Sequence, residues 1–477
     1  MSHEIRADHD QVLMFPPVVD DWVGADHPAR FIRDFVDALD VEELGFRVRK
    51  SSVGRPNYAT DLLLKVWLFC YMQDIRSSRQ IERACRENMG LIWLTGMNAP
   101  DHNSLWRFWR DNKQALSRVI EQSILVAFDA NLLGLVVHAV DGTKIMARSS
   151  GRTVWHRADV EKRLESLRES IDKGMREVER AEREEVGEYR LPEALQSEVE
   201  RKELIERALE RLNEVGRDHM HGNEPEARLM KHGRSIELSY NAQAVADQKS
   251  GMVVAQDVVE DEDDSSQLVP MIDKVVENLG EAAQETLADG GYSSAVQFGE
   301  AAQRNYEVLT SPGKNEPSSD PTSQERPYHA SRFTYDEQKD CCVCPHGKIL
   351  SYQRTKWGRR KKYRVRLYHC KDFRECPFAS QCSKDKRGRT IEISEHHQAV
   401  VRQRQKRQDP AGKELLKARK AIIEPVFAWV KSHHGFRRWT VCGLENVRTQ
   451  WSLICATINL RKLYSHWLAG ELNLAGG

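Results

Sequence analysis

Leu132-Leu133-Gly134-Leu135-Val136-Val137-His138-Ala139-Val140-Asp141-Gly142 is the stretch on which the fold turns. A continuous apolar run that stops at an acid and a glycine predicts a buried strand ending in a turn. The same texture returns at Thr286-Leu287-Ala288-Asp289-Gly290-Gly291. Between them, residues 239–246 and 251–259 alternate as two strands joined by the turn Asp247-Gln248-Lys249-Ser250. Strands separated by helical stretches fit an α/β domain.

Working outward, residues 25–128 read as helical, with Leu62, Val66, Leu68 and Cys70 on one apolar face and Asn103-Ser104 capping a further helix. Arg76, Arg79 and Arg83 stud this region, a pattern that suits docking on phosphate or simply a solvated surface. Residues 155–216 carry a heptad-like seam of Val160, Leu164, Leu167 and Ile171, resumed by Ile205, Leu209 and Leu212, which predicts a helical hairpin insert. Residues 311–330 are turn-rich, and the chain closes with helices near 412–431 and 444–467. The expected division is 1–128 for an N-terminal helical domain that binds DNA, 129–310 for the first part of the core, 311–410 for a basic module rich in cysteine, and 411–477 for C-terminal helices.

The 72 Lys and Arg balance the 72 Asp and Glu. A zero sum argues against a nucleic-acid partner only if charge is evenly spread. It is not: residues 346–410 hold 19 bases against 6 acids, and residues 155–216 hold 18 acids against 13 bases. No segment reaches the roughly 18 apolar residues of a membrane span. The opening Met-Ser-His-Glu-Ile-Arg lacks the apolar stretch of a secretory signal, so a cytoplasmic location is expected.

Breaking a phosphodiester requires charge neutralisation on both the attacking and the leaving oxygen. Two divalent ions about 3.5–4 Å apart supply it, held by carboxylates that converge from several elements. Hard oxygen ligands favour magnesium or manganese. Asp141 and Asp289 have strand-end placement, and Glu424 sits in the apolar-patterned helix Ile422-Ile423-Glu424-Pro425-Val426-Phe427. Lys431, seven residues on, falls on the same helical face, and Lys420 lies one turn before, so both are placed to hold phosphate. Pro425 removes a helix hydrogen bond, so either the helix begins there with Glu424 as N-cap or it kinks at the acid.

These stretches resemble the transposases of insertion sequences with a Tyr-Arg-Glu-Lys signature, in particular insertion-sequence family 1182 within the group related to insertion sequences 4 and 5. Gly54-Arg55-Pro56, Ile75-Arg76-Ser77-Ser78-Arg79, Trp93-Leu94 and Pro100-Asp101-His102 resemble the family's N-terminal helical domain. Ala139-Val140-Asp141-Gly142-Thr143 and Ala288-Asp289-Gly290-Gly291-Tyr292 look like its two aspartate motifs. Ile423-Glu424-Pro425-Val426-Phe427, Lys431, Gly435-Phe436-Arg437-Arg438 and Asn459-Leu460 look like its C-terminal motif. Where the signature places Tyr and Arg, this chain has Lys417 and Lys420. The resemblance implies a ribonuclease-H-like core with a five-stranded mixed sheet, and catalytic Asp141, Asp289 and Glu424 holding two magnesium (or manganese) ions beside Lys431. It also implies cleavage and strand transfer at terminal inverted repeats of double-stranded DNA, by a homodimer in the bacterial nucleoid with no membrane attachment. The rival expectations are a catalytically silent DNA-binding regulator and a ribonuclease-H-like nuclease indifferent to end sequence.

Six of the ten cysteines fall within 341–382. In a cytosolic chain such a cluster points to metal rather than disulfides. Cys344, Cys370, Cys376 and Cys382 suffice for a tetrahedral structural zinc, with Cys341, Cys342, His346 and His369 as competing ligands and a packed set of reduced thiols as the alternative. In the same module Arg359, Arg360, Lys361, Lys362, Arg364 and Arg366 interleave with Trp357, Tyr363 and Tyr368. Basic residues track phosphate and aromatics stack on unpaired bases; a solvated ribbon with a charged edge is the other reading. Arg437 and Arg438 complete the expected DNA contacts. Asp261, Asp263 and Asp264 read as a solvated turn.

Overall fold

The computed structural model describes residues 18–48, 57–151, 154–184, 193–216, 218–221, 224–313, 316, 326–358, 363–385 and 387–474. It divides into two compact units, one of residues 1–130 and 452–477, the other of residues 131–451.

The first unit is helical: α1 (Pro28–Asp37), α2 (Thr60–Met72), α3 (Ser78–Glu87), α4 (Met89–Leu94), α5 (His102–Asp111) and α6 (Lys113–Asp129). Its centre is α2, where nine of thirteen residues are buried, as the apolar run predicts. Lys65, the one charge in that run, is held at its edge by Asp37 at 2.5 Å and Asp61 at 3.0 Å. The α5 cap is Asp101 rather than Asn103-Ser104: its carboxylate accepts from both of their backbone N–H groups at 3.0 Å, supplying the acceptor that the first turn requires. Arg76 lies against Asp74 at 2.8 Å with its side chain only 11% exposed, so it is a structural ion pair, whereas Arg79 is exposed. Gly54, Arg55 and Pro56 lie outside the described residues.

The second unit is built on β1 (Val137–Met146), followed by the short β2 (Val154–His156). Then come α7 (Arg157–Glu184) and α8 (Glu193–Val215), an excursion closed at its base by β3 (His219–His221), which pairs with β2. The two helices pack through Val160, Leu164 and Ile205, with Trp155, Leu167 and Leu209 against them, the hairpin that the seam predicts. The sheet resumes with β4 (Arg228–His232), β5 (Ser235–Asp247) and β6 (Val253–Val259), then α9 (Leu268–Leu279), β7 (Glu285–Ala288), α10 (Ala295–Gln303) and β8 (Val308–Thr310). Spatial order is β4-β5-β1-β7-β8 with β6 also on β5. Pairing is antiparallel from β6 and β4 through β5 to β1, and parallel from β1 to β7 and from β7 to β8. Six strands thus replace the expected five, because β5 is long enough for β4 and β6 to share one of its edges.

β1 does not end at Asp141. It runs five residues further, paired with β5 down to Met146↔Ser239. The glycine that reads as a turn signal is tolerated because β5 continues alongside and supplies the ladder bonds.

A second sheet holds the cysteines: β9 (Thr334–Asp336), β10 (Cys341–Val343), β11 (Ile349–Trp357), β12 (Arg364–His369) and, after the short α11 (Ala379–Cys382), β13 (Thr390–Ser394), all antiparallel. Then α12 (His397–Gln408) leads into α13 (Pro410–Ala428), which packs on β1, β5, β7 and β8. Buried Arg407 fixes that approach by donating to the Thr310 carbonyl at 2.7 Å and to Glu316 at 2.8 Å. The final helix, α14 (Leu444–Leu468), begins in this unit and continues in the first.

α13 passes straight through Pro425, so Glu424 is not an N-cap. The next turn, Trp429–His433, is a π-helix closed by His434 N–H to the Trp429 carbonyl, and it carries Lys431. Among the described residues no helix is long and apolar enough to cross a membrane.

Candidate active site

Strand register brings the two aspartates level. Val137 pairs with Glu285, His138 with Thr286 and Ala139 with Leu287 across the parallel β1–β7 ladder. Two residues further along each chain stand Asp141 and Asp289. β7 stops just before Asp289, whereas β1 carries Asp141 on beyond the parallel pairing, so the two stand level past the carboxyl end of β7.

Asp141 accepts from the Gly142 N–H through Oδ1 at 2.8 Å and from Arg419 Nη1 through Oδ2 at 3.1 Å. Burial raises its pKa, and the charge on Asp289 adds to the effect; the Gly142 N–H and Arg419 only partly oppose them. Asp289 caps the short 3-10 turn Gly290–Tyr292, its Oδ1 accepting from the Gly291 N–H at 2.7 Å. Tyr292 is fully buried and donates its hydroxyl to Gln243. Burial and the surrounding carboxylates keep that phenol protonated.

A further acid, Asp264, lies beside Asp289. Asp264, from the loop between β6 and α9, accepts on Oδ1 from Asn241 at 2.8 Å and Gln243 at 2.7 Å. Burial raises its pKa and Asp289 raises it further, so the solvated-turn expectation fails at this residue. Two facts hid it: Asp261, Asp263 and Asp264 are indistinguishable by composition, and the donors that select Asp264 lie on β5, more than twenty residues upstream. Glu424 is on the exposed face of α13. Among the described residues, Asp141, Asp264, Asp289 and Glu424 do not supply three oxygens all within 4.8 Å of one another.

Sequence reasoning also missed Arg419. The arginine position of the signature falls on Lys420, which is exposed; the neighbouring Arg419 is the buried residue that reaches Asp141. The helical phase that buries Ile422, Ile423 and Val426 turns Arg419 inward, and this signal was available. Lys417 is exposed and paired with Glu414 at 2.6 Å.

Bases rim the acids. Burial lowers the Lys431 pKa, Arg437 lowers it further, and Asp141 pulls the other way, which places all three within one electrostatic neighbourhood. Arg437 and Arg438 are exposed on a loop stitched to the end of β1 by Met146 N–H to the Arg437 carbonyl and Trp439 N–H to the Met146 carbonyl. Arg438 donates to the Ala147 carbonyl at 2.8 Å.

In the module, Cys344, Cys370, Cys376 and Cys382 line one pocket with His346, Phe373 and Arg389. The Lys348 N–H points at Cys344 Sγ, 3.3 Å away, in the turn Cys344-Pro345-His346-Gly347-Lys348, whose Gly347 has φ +81°. Burial pushes the Cys370 and Cys382 thiols up, and the neighbouring sulfurs add to that. Cys341 and Cys342 are buried on β10. On the ribbon, Trp357 is exposed with Arg364 over its ring at 5.5 Å, but Tyr368 is fully buried on Asp340 and cannot stack on a base. Arg359, Arg360, Lys361 and Lys362 lie outside the described residues.

Residues 343–464 match the model of a transposase DDE domain, and residues 17–111 match that of a transposase domain, DUF772. Two separate stretches of the chain are thus similar to transposase domains. The DDE-domain match contains the four cysteines of the pocket together with Arg419, Glu424 and Lys431, while Asp141 and Asp289 precede it. No curated protein matches the chain.

Proposed function

We propose that the chain is a DDE transposase resembling insertion-sequence family 1182, built on a ribonuclease-H-like core, which binds the terminal inverted repeats of its element and catalyses metal-dependent DNA cleavage and strand transfer. The observation that carries this is the levelling of Asp141 and Asp289 by the parallel β1–β7 register, with α13, inside the stretch similar to a transposase DDE domain, packed on those strands. The strand order β6-β5-β1-β7-β8 is the support for the ribonuclease-H-like assignment.

The acids fit divalent ions. A side chain on Gly291 would stand 2.9 Å from Asp289 Oδ1 and 3.5 Å from Asp264 Oδ2, so the glycine keeps open a cradle between carboxylates. Asp141 and Asp289 would hold magnesium or manganese, with Glu424 of α13 as a further carboxylate. When bound, two such ions neutralise charge on the attacking and leaving oxygens. Arg419 orients Asp141, and its guanidinium balances part of the acid charge. Lys431, with Arg437 and Arg438, meets the DNA phosphate, and Lys420 adds an exposed cation on α13; Arg79, exposed in the helical unit, is a separate DNA contact. The active form is a homodimer acting on two paired ends in the nucleoid.

A duplex carrying the element's ends tests this directly. Magnesium-dependent release of a 3′-hydroxyl end, and its joining to target DNA, is expected. Cutting that ignores end sequence would instead make the chain a general nuclease, and binding without cutting a regulator.

The four pocket thiols hold a structural zinc in the same reading. Zinc would supply the charge that holds these thiols as thiolates, and the Lys348 N–H aimed at Cys344 Sγ is the usual partner of a metal-bound sulfur. One zinc per chain is expected by elemental analysis. Cys344→Ser with Cys376→Ser should abolish it and lower the melting temperature, whereas an equal metal content in the double variant would leave only packed thiols.

A further inference from the structure

The geometry points to Asp264 as a further carboxylate of the metal site, ligating through Oδ2 the ion that Asp289 holds. The inference rests on the metal-dependent reading above and adds to it a ligand that the aspartate–aspartate–glutamate motif does not contain.

The two oxygens of Asp264 face different partners. Oδ1 takes both amide donors, from Asn241 and Gln243. Oδ2 is turned toward the Gly291 cradle, within 3.5 Å of the space where Asp289 Oδ1 also lies at 2.9 Å. The other glycine of the site behaves alike: a side chain on Gly142 would meet Asp264 Oδ1 at 2.7 Å. A side chain on Gly142 would thus crowd Gln243 Nε2 as well as Asp264, and one on Gly291 would press on Asp289 Oδ1 and stand in contact with Asp264 Oδ2.

Two partly buried carboxylates facing one gap repel each other, and amide donors do not remove the repulsion. If Asp264 served only to accept from Asn241 and Gln243, a neutral asparagine carbonyl would do so equally well without burying charge. A cation between Asp264 and Asp289 accounts for the charge. The positions of the donors explain the direction of the carboxylate: they anchor one oxygen and aim the other. Gln243 is itself anchored by the Tyr292 hydroxyl and by Trp451 Nε1, which donates to its carbonyl at 2.9 Å.

The test is manganese binding by the full chain, followed by electron paramagnetic resonance of the free ion, for wild type, Asp264→Asn and Asp141→Asn. Asp264→Asn preserves the acceptor for both amides, so the fold is kept, and affinity should fall at least about tenfold. Melting in chelator should be equal to or above wild type. Gly291→Ala, which fills the cradle while leaving every carboxylate, should show the same loss. If Asp141→Asn weakens binding while Asp264→Asn and Gly291→Ala bind as wild type, the inference falls and the metal site stands. If no variant alters binding, the metal reading itself falls. A lower melting point of Asp264→Asn in chelator, with wild-type manganese affinity, would make Asp264 a structural acceptor.

Discussion

Asp141→Asn and Glu424→Gln are each expected to reduce end cleavage by about three orders of magnitude or more while leaving DNA binding measurable, because each removes a charge that holds an ion where the phosphate reacts. The two differ in what they do to the fold. Asp141 is half-buried, carries a raised pKa and faces Asp289, so ionising it costs stability. Its folded pKa lies above the unfolded one. Between those values the folded chain binds more protons than the unfolded chain, and stability falls as pH rises through that window. At neutral pH the cost is fully present. Asp141→Asn relieves that cost but leaves the buried Arg419 guanidinium without its carboxylate, so in chelator it should melt below wild type. Glu424 is exposed, so Glu424→Gln should leave the melting temperature within about 1 °C. Added magnesium should stabilise wild type and not Asp141→Asn. Normal cleavage by Glu424→Gln would remove it from the site, and a metal-independent melting temperature in wild type would remove the ions.

The same sign governs activity. Cleavage needs the ionised carboxylate, and a raised pKa carries protonation into less acid solution. The acid limb of the pH–rate profile should therefore lie above that of an unperturbed aspartate, and magnesium should move it down by competing with the proton.

What sequence could and could not show follows from the range of each signal. β7 and its aspartate were readable because an apolar run, an acid and two glycines are adjacent in the chain. The helical hairpin was readable because a seam is periodic. β1 was read five residues short because Gly142 looks like a stop, and only the partner strand β5, a hundred residues later, shows that the ladder continues. Asp264 was lost among its neighbours because the amides that distinguish it come from another strand. The π-helical turn at Lys431 left no mark at all, since it differs from an α-helix by one residue of phase, which apolar periodicity over five residues does not resolve. Family resemblance supplied order along the chain, yet it assigned the signature's basic position to Lys420. The helix phase, buried at Ile422, Ile423 and Val426, turns Arg419 inward instead.

That one-residue difference gives the second large effect. Arg419 and Asp141 are 9% and 22% exposed at the side chain, with Nη1 to Oδ2 at 3.1 Å. Removing one partner of a buried pair costs about 3–5 kcal/mol, because the other charge is left without compensation. Arg419→Ala should therefore lower the melting temperature by several degrees at pH 8. It should raise the Asp141 pKa further, so cleavage falls most steeply at the acid end of the profile. Lys420→Ala, at an exposed position, should stay within about 0.5 kcal/mol of wild type. The double variant Arg419→Ala with Asp141→Asn decides the cause. If the loss is an uncompensated carboxylate, neutralising it should recover most of the stability, and the double-mutant cycle should show strong coupling. Arg419→Lys keeps the charge without the planar fork and should fall between the two. Additive losses in the cycle would mean that Arg419 matters for packing alone, and an equal loss in Lys420→Ala would return the signature position to Lys420.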